Sequence, residues 1–244
     1  IQLTTDAVID SGFTSIDQTN DCIAGSTSNT LSGSKYGCNI GSAGSSKFGR
    51  WYPSHYSFAG ALSPFCPVGN FTYMDQDALG ITVIIKAHAN TGATASATDP
   101  VTSRYTTGYT NLAAVTLSGD NAGAAVPTNR LASPAFPAMP NTALWSAGQF
   151  SIGDTYTFTK LASPDGPFDT FRLIASVNDP DGSSLIGTAS QKATNTTRIR
   201  YGKLKIGNAY GSELHDLAIP YEAQYWTGSY YATNSFDNCT SFAM

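Results

Sequence analysis

Four cysteines are the residues of this sequence whose chemistry is easiest to state. Cys22, Cys38, Cys66 and Cys239 are even in number and lack the close paired spacing of zinc sites. Disulfide bonds formed in an oxidising compartment are therefore the favoured interpretation, and free thiols are the alternative. We predict the pairs Cys22–Cys38 and Cys66–Cys239. The first closes a short Gly/Ser-rich loop and should contribute about 3 kcal/mol through loop-closure entropy, and the second should contribute more.

Two Asp-Gly segments offer carboxylates that could bind a cation. They read SPDGP at 163–167 and DPDG at 179–182. Proline, aspartate and glycine in this order are good turn residues, so turn formation alone explains both segments. The functional alternative is calcium, a hard cation that takes oxygen ligands from loops. Asp179 and Asp181 are its candidate ligands, although their spacing does not match an EF-hand loop, and no other cofactor is indicated.

Aromatic side chains near the C-terminus form a second candidate site. Tyr225, Trp226 and Tyr230 lie close together in the sequence, and Trp51 is a further candidate from the N-terminal part. On an alternating strand, Tyr221 and Tyr225 share one face while Trp226 points to the other. Exposed Trp and Tyr rings can stack on sugars or contact a protein. The alternative is that these rings fill the core of a β-sandwich.

Residues for catalysis are harder to find. His55, His88 and His215 are widely separated, and none has the spacing of a metal-binding pair. No nucleophile elbow and no phosphate-binding glycine loop is present. We therefore predict a protein that is not an enzyme, and a secreted hydrolase is kept as a further alternative.

The elements that must position these residues are short strands. The period is two in the clearest segment, where Phe171, Leu173, Ala175 and Val177 fall on one face. No helical period of useful length is present. Candidate strands are His55–Leu62, Phe71–Met74, Ile81–Ala89, Arg104–Tyr109, Leu112–Leu117, Thr155–Leu161, Thr170–Val177, Arg198–Ile206, Ala218–Trp226 and Tyr230–Thr233. The sequence predicts an all-β, antiparallel β-sandwich, immunoglobulin-like or jelly-roll-like, with few or no helices.

Two local features refine this prediction. In Arg198–Ile206 the apolar phase slips by one residue at Gly202-Lys203, which indicates a bulge or, equally, the end of a strand. The segment 226–230 lies between two aromatic runs and predicts a tight hairpin.

Composition and charge exclude several classes of protein. Only 12% of the 244 residues are charged, the formal charge is −4, and 41% are hydrophobic. The chain lacks the basic cluster of a nucleic-acid binder, an apolar run long enough to insert into a membrane, and the composition of a disordered protein.

It begins without an initiator Met or a leader, so we expect a fragment or processed product. We divide it into a Ser/Gly-rich segment at 1–47, the tail of a preceding domain, and a β domain at 48–244. Four prolines predict that 119–148 is a connection outside the core sheet, where a break between two lobes would fall.

Several segments, in order, carry a family resemblance. The strongest is the run RIRYGKL at 198–204 leading to NAYGSEL at 208–214. The others are FGRWYPSHY at 48–56, FTYM at 71–74, PDGPFD at 164–169, DPDG at 179–182, EAQYW at 222–226 and DNCT at 237–240. Together they resemble the C-terminal domain, of unknown function, of the MshQ-like family of proteins associated with the MSHA type of bacterial type IV pilus.

The resemblance implies an extracellular bacterial surface protein that is structural or adhesive. Its partners would be other modules of the same protein, pilus components or glycans, and the runner-up function is a lectin-like, glycan-binding module. The family's pair of cysteines matches Cys66 and Cys239, whereas Cys22 and Cys38 lie outside the best-matched region. No catalytic residues are established for the family, so the resemblance assigns none here.

Overall fold

The computed structural model describes residues 2–5, 22–39, 41, 44 and 52–241. The chain divides into two compact units, Ile1–Trp51 and Tyr52–Met244. In the described part of the first unit, the Cys22–Cys38 disulfide closes a loop with two isolated bridges, Ile23 with Gly37 and Ser32 with Lys35. Further backbone hydrogen bonds join the loop, such as the one from the amide of Gly37 to the carbonyl of Ser28 at 2.9 Å. All strands described below belong to the second unit.

A six-stranded sheet forms one layer of the second unit. Its central strands are β1 (His55–Ser63), β3 (Asp77–His88) and β8 (Gln149–Phe158), which pair antiparallel in the order β1-β3-β8. Short strands complete its edges: β6 (Leu131–Ala132) and β7 (Trp145–Ser146) on β8, and β10 (Ser184–Leu185) parallel to β1.

A five-stranded sheet forms a second layer, in the order β2-β11-β9-β4-β5. Its strands are β2 (Phe71–Tyr73), β4 (Ala114–Asn121), β5 (Ala124–Val126), β9 (Phe168–Asn178) and β11 (Thr197–Arg200). The pairing is antiparallel except between β2 and β11, which run parallel.

A three-stranded antiparallel sheet follows at the C-terminal end. It consists of β12 (Gly202–Ile206), β13 (Tyr221–Trp226) and β14 (Tyr231–Thr233), in that order. The predicted hairpin is present: the amide of Thr227 donates to the carbonyl of Tyr230 at 2.9 Å, and Gly228 takes a positive φ of 102°. A glycine at the first central position of such a turn matches the twist of the two strands.

The core is a single cluster made from the alternating apolar positions of the two large sheets. Leu79, Ile81, Val83 and Ile85 of β3 are buried and alternate with half-buried or exposed neighbours. They belong to the same cluster as residues of β9, β4 and β8, such as Phe171, Leu173, Val115, Leu117, Phe150 and Phe158. The fold is therefore the predicted all-β sandwich, and the helical structure in residues 52–241 is confined to 3-10 turns at Thr128–Arg130 and Ser190–Lys192.

The predicted strand Arg104–Tyr109 is wrong. The segment forms successive turns, in which the amides of Tyr105 and Tyr109 donate to the carbonyls of Thr102 and Thr106. The two tyrosine rings pack against each other with centroids 5.2 Å apart. Tyr105 and Tyr109 therefore pack together as residues of consecutive turns and not as positions of a strand.

The prediction that 119–148 lies outside the core sheet is wrong at both ends of the segment. Ala122 and Gly123 have positive φ values of 52° and 89°, and they join β4 to β5 in a two-residue hairpin. At the other end, Trp145 of β7 is fully buried and its indole N–H donates to the carbonyl of Ala113 at 2.8 Å. Between Pro127 and Pro134, β6 also pairs with β8, so the prolines limit the length of the strands in this segment without excluding it from the sheet.

The phase slip near Gly202 marks a change of sheet. The predicted single strand Arg198–Ile206 with a bulge is instead two strands, since β11 ends at Arg200 and β12 begins at Gly202. The two strands belong to different sheets, so each apolar pair follows the phase of its own sheet. The alternative that the slip marks a strand end is correct.

Candidate functional site

The C-terminal three-stranded sheet presents two chemically different faces. Because opposite residues of an antiparallel pair share a face, the register defines both sets. The apolar face carries Gly202, Leu204, Ile206, Tyr221, Ala223 and Tyr225. The mixed face carries Lys203, Lys205, Glu222, Gln224, Trp226, Tyr231 and Thr233. The predicted separation of Tyr221 and Tyr225 from Trp226 is confirmed.

Two aromatic rings and a lysine lie together on the mixed face. Trp226 and Tyr231 are cross-strand partners, and their ring centroids are 5.3 Å apart in an edge-to-face arrangement. The ammonium of Lys203 lies 3.7 Å from the centroid of the Tyr231 ring, a cation–π geometry. This arrangement combines two aromatic rings, set at 64° to each other, with a charged hydrogen-bond donor.

Polar side chains continue the mixed face away from the rings. The carboxylate of Glu222 accepts hydrogen bonds from the hydroxyl of Thr233 and from the side-chain amide of Gln224, and it lies 3.7 Å from the ammonium of Lys205. The hydrogen bond from Thr233, helped by the charge of Lys205, lowers the pKa of Glu222. A cavity of about 450 Å³ is lined by Lys205, Glu222 and Thr233 together with Gly207, Pro220 and Tyr221.

The other predicted aromatic residues do not join this pair. Tyr225 lies on the apolar face, where the guanidinium of Arg200 stacks on its ring at 3.8 Å, so the ring serves internal packing. Tyr230 is 65% exposed in the hairpin turn. Trp51 lies outside the described residues. The sequence analysis did not select Tyr231, although the register imposed by the 227–230 turn places it opposite Trp226.

Asp179 and Asp181 lie in the turn that follows β9. The carboxylate of Asp179 is buried and accepts hydrogen bonds from the amides of Asp181 at 3.2 Å and Ser183 at 3.1 Å. The carbonyl of Asp179 also accepts from the amide of Gly182 at 3.0 Å. These contacts give Asp179 a role in forming its own turn, and the calcium site stays a prediction.

The first Asp-Gly turn contains an ion pair that the sequence analysis missed. Asp165 pairs with Arg130, whose side chain is buried and lies 4.4 Å from the ring centroid of Phe158. Arg130 also donates to the carbonyl of Thr159 from Nε at 3.0 Å and from a terminal nitrogen at 2.7 Å. The partner of Asp165 is 35 positions away along the chain, so no local pattern indicates it.

Both predicted disulfides are present. Cys22 is bonded to Cys38, and Cys66 to Cys239, 173 residues apart in sequence. Within the described residues, Cys66, Asp237 and Cys239 are the only group of potential metal ligands that lie close together. Because the two sulfurs are bonded to each other, they are not thiolates and cannot bind a metal as such.

Two of the three histidines meet in space, which their spacing did not indicate. His55 and His88 are cross-strand partners, and their rings stack with centroids 5.1 Å apart. Nδ1 of His88 donates to the carbonyl of Asp99 at 2.7 Å, so its Nε2 accepts the hydroxyl of Ser57, also at 2.7 Å. His55, Ser57 and His88 are all buried. The hydrogen bond between Ser57 and His88 therefore serves to satisfy polar groups inside the fold.

Comparison with known protein families matches most of the chain. Residues 24–203 match the family description "DUF6701, third domain", and residues 200–244 match "DUF6701, fourth domain". The chain therefore belongs to the DUF6701 family. The change from one matched domain to the next coincides with the passage from β11 to β12. Comparison with curated proteins and with solved structures gives no match.

In the described part of the chain, no helix is long and apolar enough to cross a membrane.

Proposed function

We propose that this chain is a structural or adhesive module of an MshQ-like, pilus-associated protein on the bacterial surface. The observation that carries the proposal is the Cys66–Cys239 disulfide, which fastens the C-terminal segment after the third sheet to the loop between β1 and β2. Disulfides of this kind indicate an oxidising compartment. A cross-linked sandwich keeps its shape outside the cell, so the module acts by holding surfaces in fixed positions.

The partners of the module are other modules of the same protein and pilus components. Its two matched domains are described as third and fourth, which fits a parent protein with several domains. The surface offers apolar side chains for such contacts, since Leu214, Ile219 and Tyr221 are 80%, 57% and 59% exposed. All three lie in the segment 214–221, so this segment offers exposed apolar side chains to a partner surface.

The test is made on the full-length parent protein in a bacterium that carries MSHA-type pili. Intact cells are treated with a membrane-impermeant protease and labelled with antibody against residues 52–241, and the thiol state is trapped by alkylation. We expect cleavage and labelling on intact cells, gold particles along or at the base of pili, and fully oxidised cysteines. A protein that is protected from the protease and has reduced thiols would contradict the surface location. Antibody label on the cell surface that does not follow the pili would contradict the association with pili.

A second candidate function is glycan binding, which the Trp226–Tyr231 pair favours. The rings lie on the same face as Lys203, Lys205 and Glu222, whose donors and acceptors could hydrogen-bond to sugar hydroxyls. Aromatic rings next to polar side chains are what a sugar needs, since one face of a pyranose is apolar and its edge is polar.

Glycan arrays probed with the wild type, Trp226→Ala and Tyr231→Ala test this second function. If the mixed face binds a glycan, both substitutions reduce saturable binding at least tenfold while the circular dichroism spectrum is unchanged. Tyr210→Ala is the matched control, because Tyr210 is 91% exposed in the loop between β12 and β13. Binding that survives both substitutions, or that is lost equally in the control, contradicts a glycan site on this face.

A further inference from the structure

We propose that a pocket at the apolar face of the C-terminal sheet binds a small amphipathic carboxylate, an anion with an aliphatic tail. The pocket has a volume of about 340 Å³ and lies where β12 and β13 meet the end of β2. This size lies at the lower end of the range for small-molecule sites. Its lining residues are Tyr73, Lys160, Gly202, Lys203, Leu204, Ala223 and Thr240.

The walls of the pocket suit an aliphatic group. Leu204 and Ala223 are cross-strand partners on the apolar face, and the ring of Tyr73 stands against the backbone of Gly202 beside them. The apolar face continues beyond the pocket through Ile206 and Tyr221, which are 64% and 59% exposed. A tail that leaves the pocket would therefore cover apolar side chains that are in contact with water.

Lys160 supplies a positive charge at the pocket. Its ammonium donates to the carbonyl of Gly202 at 2.9 Å and lies 4.8 Å from the ring centroid of Tyr201. An ammonium has three donors, so two are left after the bond to Gly202. None of the ion pairs among the described residues includes Lys160. A carboxylate bound here would form an ion pair with the Lys160 ammonium.

Two carboxylates near the pocket already have hydrogen-bond partners of their own. Asp75 accepts from the backbone amide of Lys160 at 2.8 Å. Asp237 accepts hydrogen bonds from the hydroxyl of Tyr73 at 2.9 Å, from the hydroxyl of Thr240 at 2.6 Å and from the amides of Cys239 and Thr240. Four donors stabilise its negative charge at that position. Lys160 and Lys203 both line the pocket, and neither belongs to an ion pair among the described residues, which favours an anion over a neutral sugar.

The experiment uses the full 244-residue chain with octanoate and its neutral analogue octanamide as probes, followed by amide chemical shifts in NMR. We expect saturable shifts at Gly202, Leu204 and Ala223 with octanoate. Octanamide should bind at least tenfold more weakly, because a charge-assisted hydrogen bond contributes a factor of about ten or more. Hexanoate should bind about tenfold more weakly than octanoate, since it lacks two methylenes and each buried methylene contributes a factor of about three to four.

Substitutions separate a specific site from general adsorption. Lys160→Met keeps the aliphatic stem and removes the charge, so octanoate affinity should fall at least tenfold while octanamide affinity is unchanged. Ala223→Leu should fill the pocket and weaken both probes. Lys192→Met, in the second 3-10 turn, is the control and should bind as the wild type does. Equal affinity for octanoate and octanamide, no saturable shifts at the three amides, or octanoate binding undiminished in Lys160→Met would overturn the proposal.

Discussion

The ring of Tyr73 packs directly on the backbone of Gly202, so closely that a Cβ at residue 202 would lie 2.4 Å from Cδ1 of the ring. Tyr73 ends β2 in the second large sheet, and Gly202 begins β12 in the small C-terminal sheet. The absence of a side chain at residue 202 therefore sets the distance at which the small sheet meets the body of the sandwich. The same contact forms one wall of the proposed pocket.

Gly202→Ala should destabilise the protein by about 1–3 kcal/mol, because the added methyl group overlaps a ring held in place at its hydroxyl. The Tyr73 hydroxyl is fixed by Asp237 at 2.9 Å and by the side-chain amide of Asn234 at 2.7 Å, which limits how far the ring can move. Urea unfolding measures the loss. Gly153→Ala is the matched control, since its Cβ would meet nothing within 4 Å. Equal stability of the two variants would show that the Tyr73 contact is not tight.

Arg130→Lys should cost about 2 kcal/mol although it keeps the charge. The guanidinium makes two hydrogen bonds to the carbonyl of Thr159, pairs with Asp165 and stacks on Phe158. A lysine ammonium cannot reproduce this planar arrangement, so at least one partly buried acceptor loses its partner. The midpoint of urea unfolding is the measurement. Arg172→Lys, at an ion pair to Asp120 where the arginine is 35% exposed, should change it less, and the reverse order would refute the argument.

The strands that the sequence predicts well are those with one solvent-exposed face and one buried face. In β9 the buried positions Phe171, Leu173 and Ala175 alternate with polar or half-buried ones, so period two identifies the strand and its inner face. Strands of two or three residues, such as β6 and β7, carry too few residues to show any period. Their position depends on the partner strand β8, which lies elsewhere in the sequence.

Only those contacts of the site that join residues close together in the sequence were predictable. The tight turn at 227–230 fixes the register, so the opposition of Trp226 and Tyr231 follows from the hairpin. Lys160 and Gly202 are 42 residues apart, and their contact depends on how two sheets meet. The stacking of Arg200 on Tyr225 is equally non-local, so the sequence alone predicts Tyr225 as a ligand-binding residue although its ring packs internally.

Removing the Cys66–Cys239 disulfide should destabilise the protein by about 3–5 kcal/mol. The bond joins residues 173 positions apart, and closing so long a loop restricts the unfolded chain strongly. The double variant Cys66→Ala/Cys239→Ala should therefore unfold at a lower urea concentration than the oxidised wild type. Reductant should lower the wild-type midpoint toward that of the variant. A variant that unfolds at the wild-type midpoint in the absence of reductant would show that the cross-link adds no stability.

Protonation of Asp237 should make the protein less stable in acid. Burial of this carboxyl opposes ionisation, but hydrogen bonds from Thr240, Tyr73 and Cys239 outweigh it, so the pKa in the folded state lies below the usual 3.8. Because the folded-state pKa is the lower one, the stabilisation is fully present above about pH 4 and is lost as the pH falls through the folded-state value.

Asp237→Asn provides the measurement of this effect. At pH 7 the variant should be less stable than the wild type by about 1–3 kcal/mol, because the ionised acceptor of four hydrogen bonds is replaced by a neutral one. As the pH is lowered from 5 to 2, the wild type loses this advantage and the two free energies of unfolding converge. Asp216→Asn, in the exposed loop before β13, is the control and should follow the wild-type curve at every pH. A constant difference between Asp237→Asn and the wild type across this range would mean that the carboxyl does not stabilise the fold through its charge.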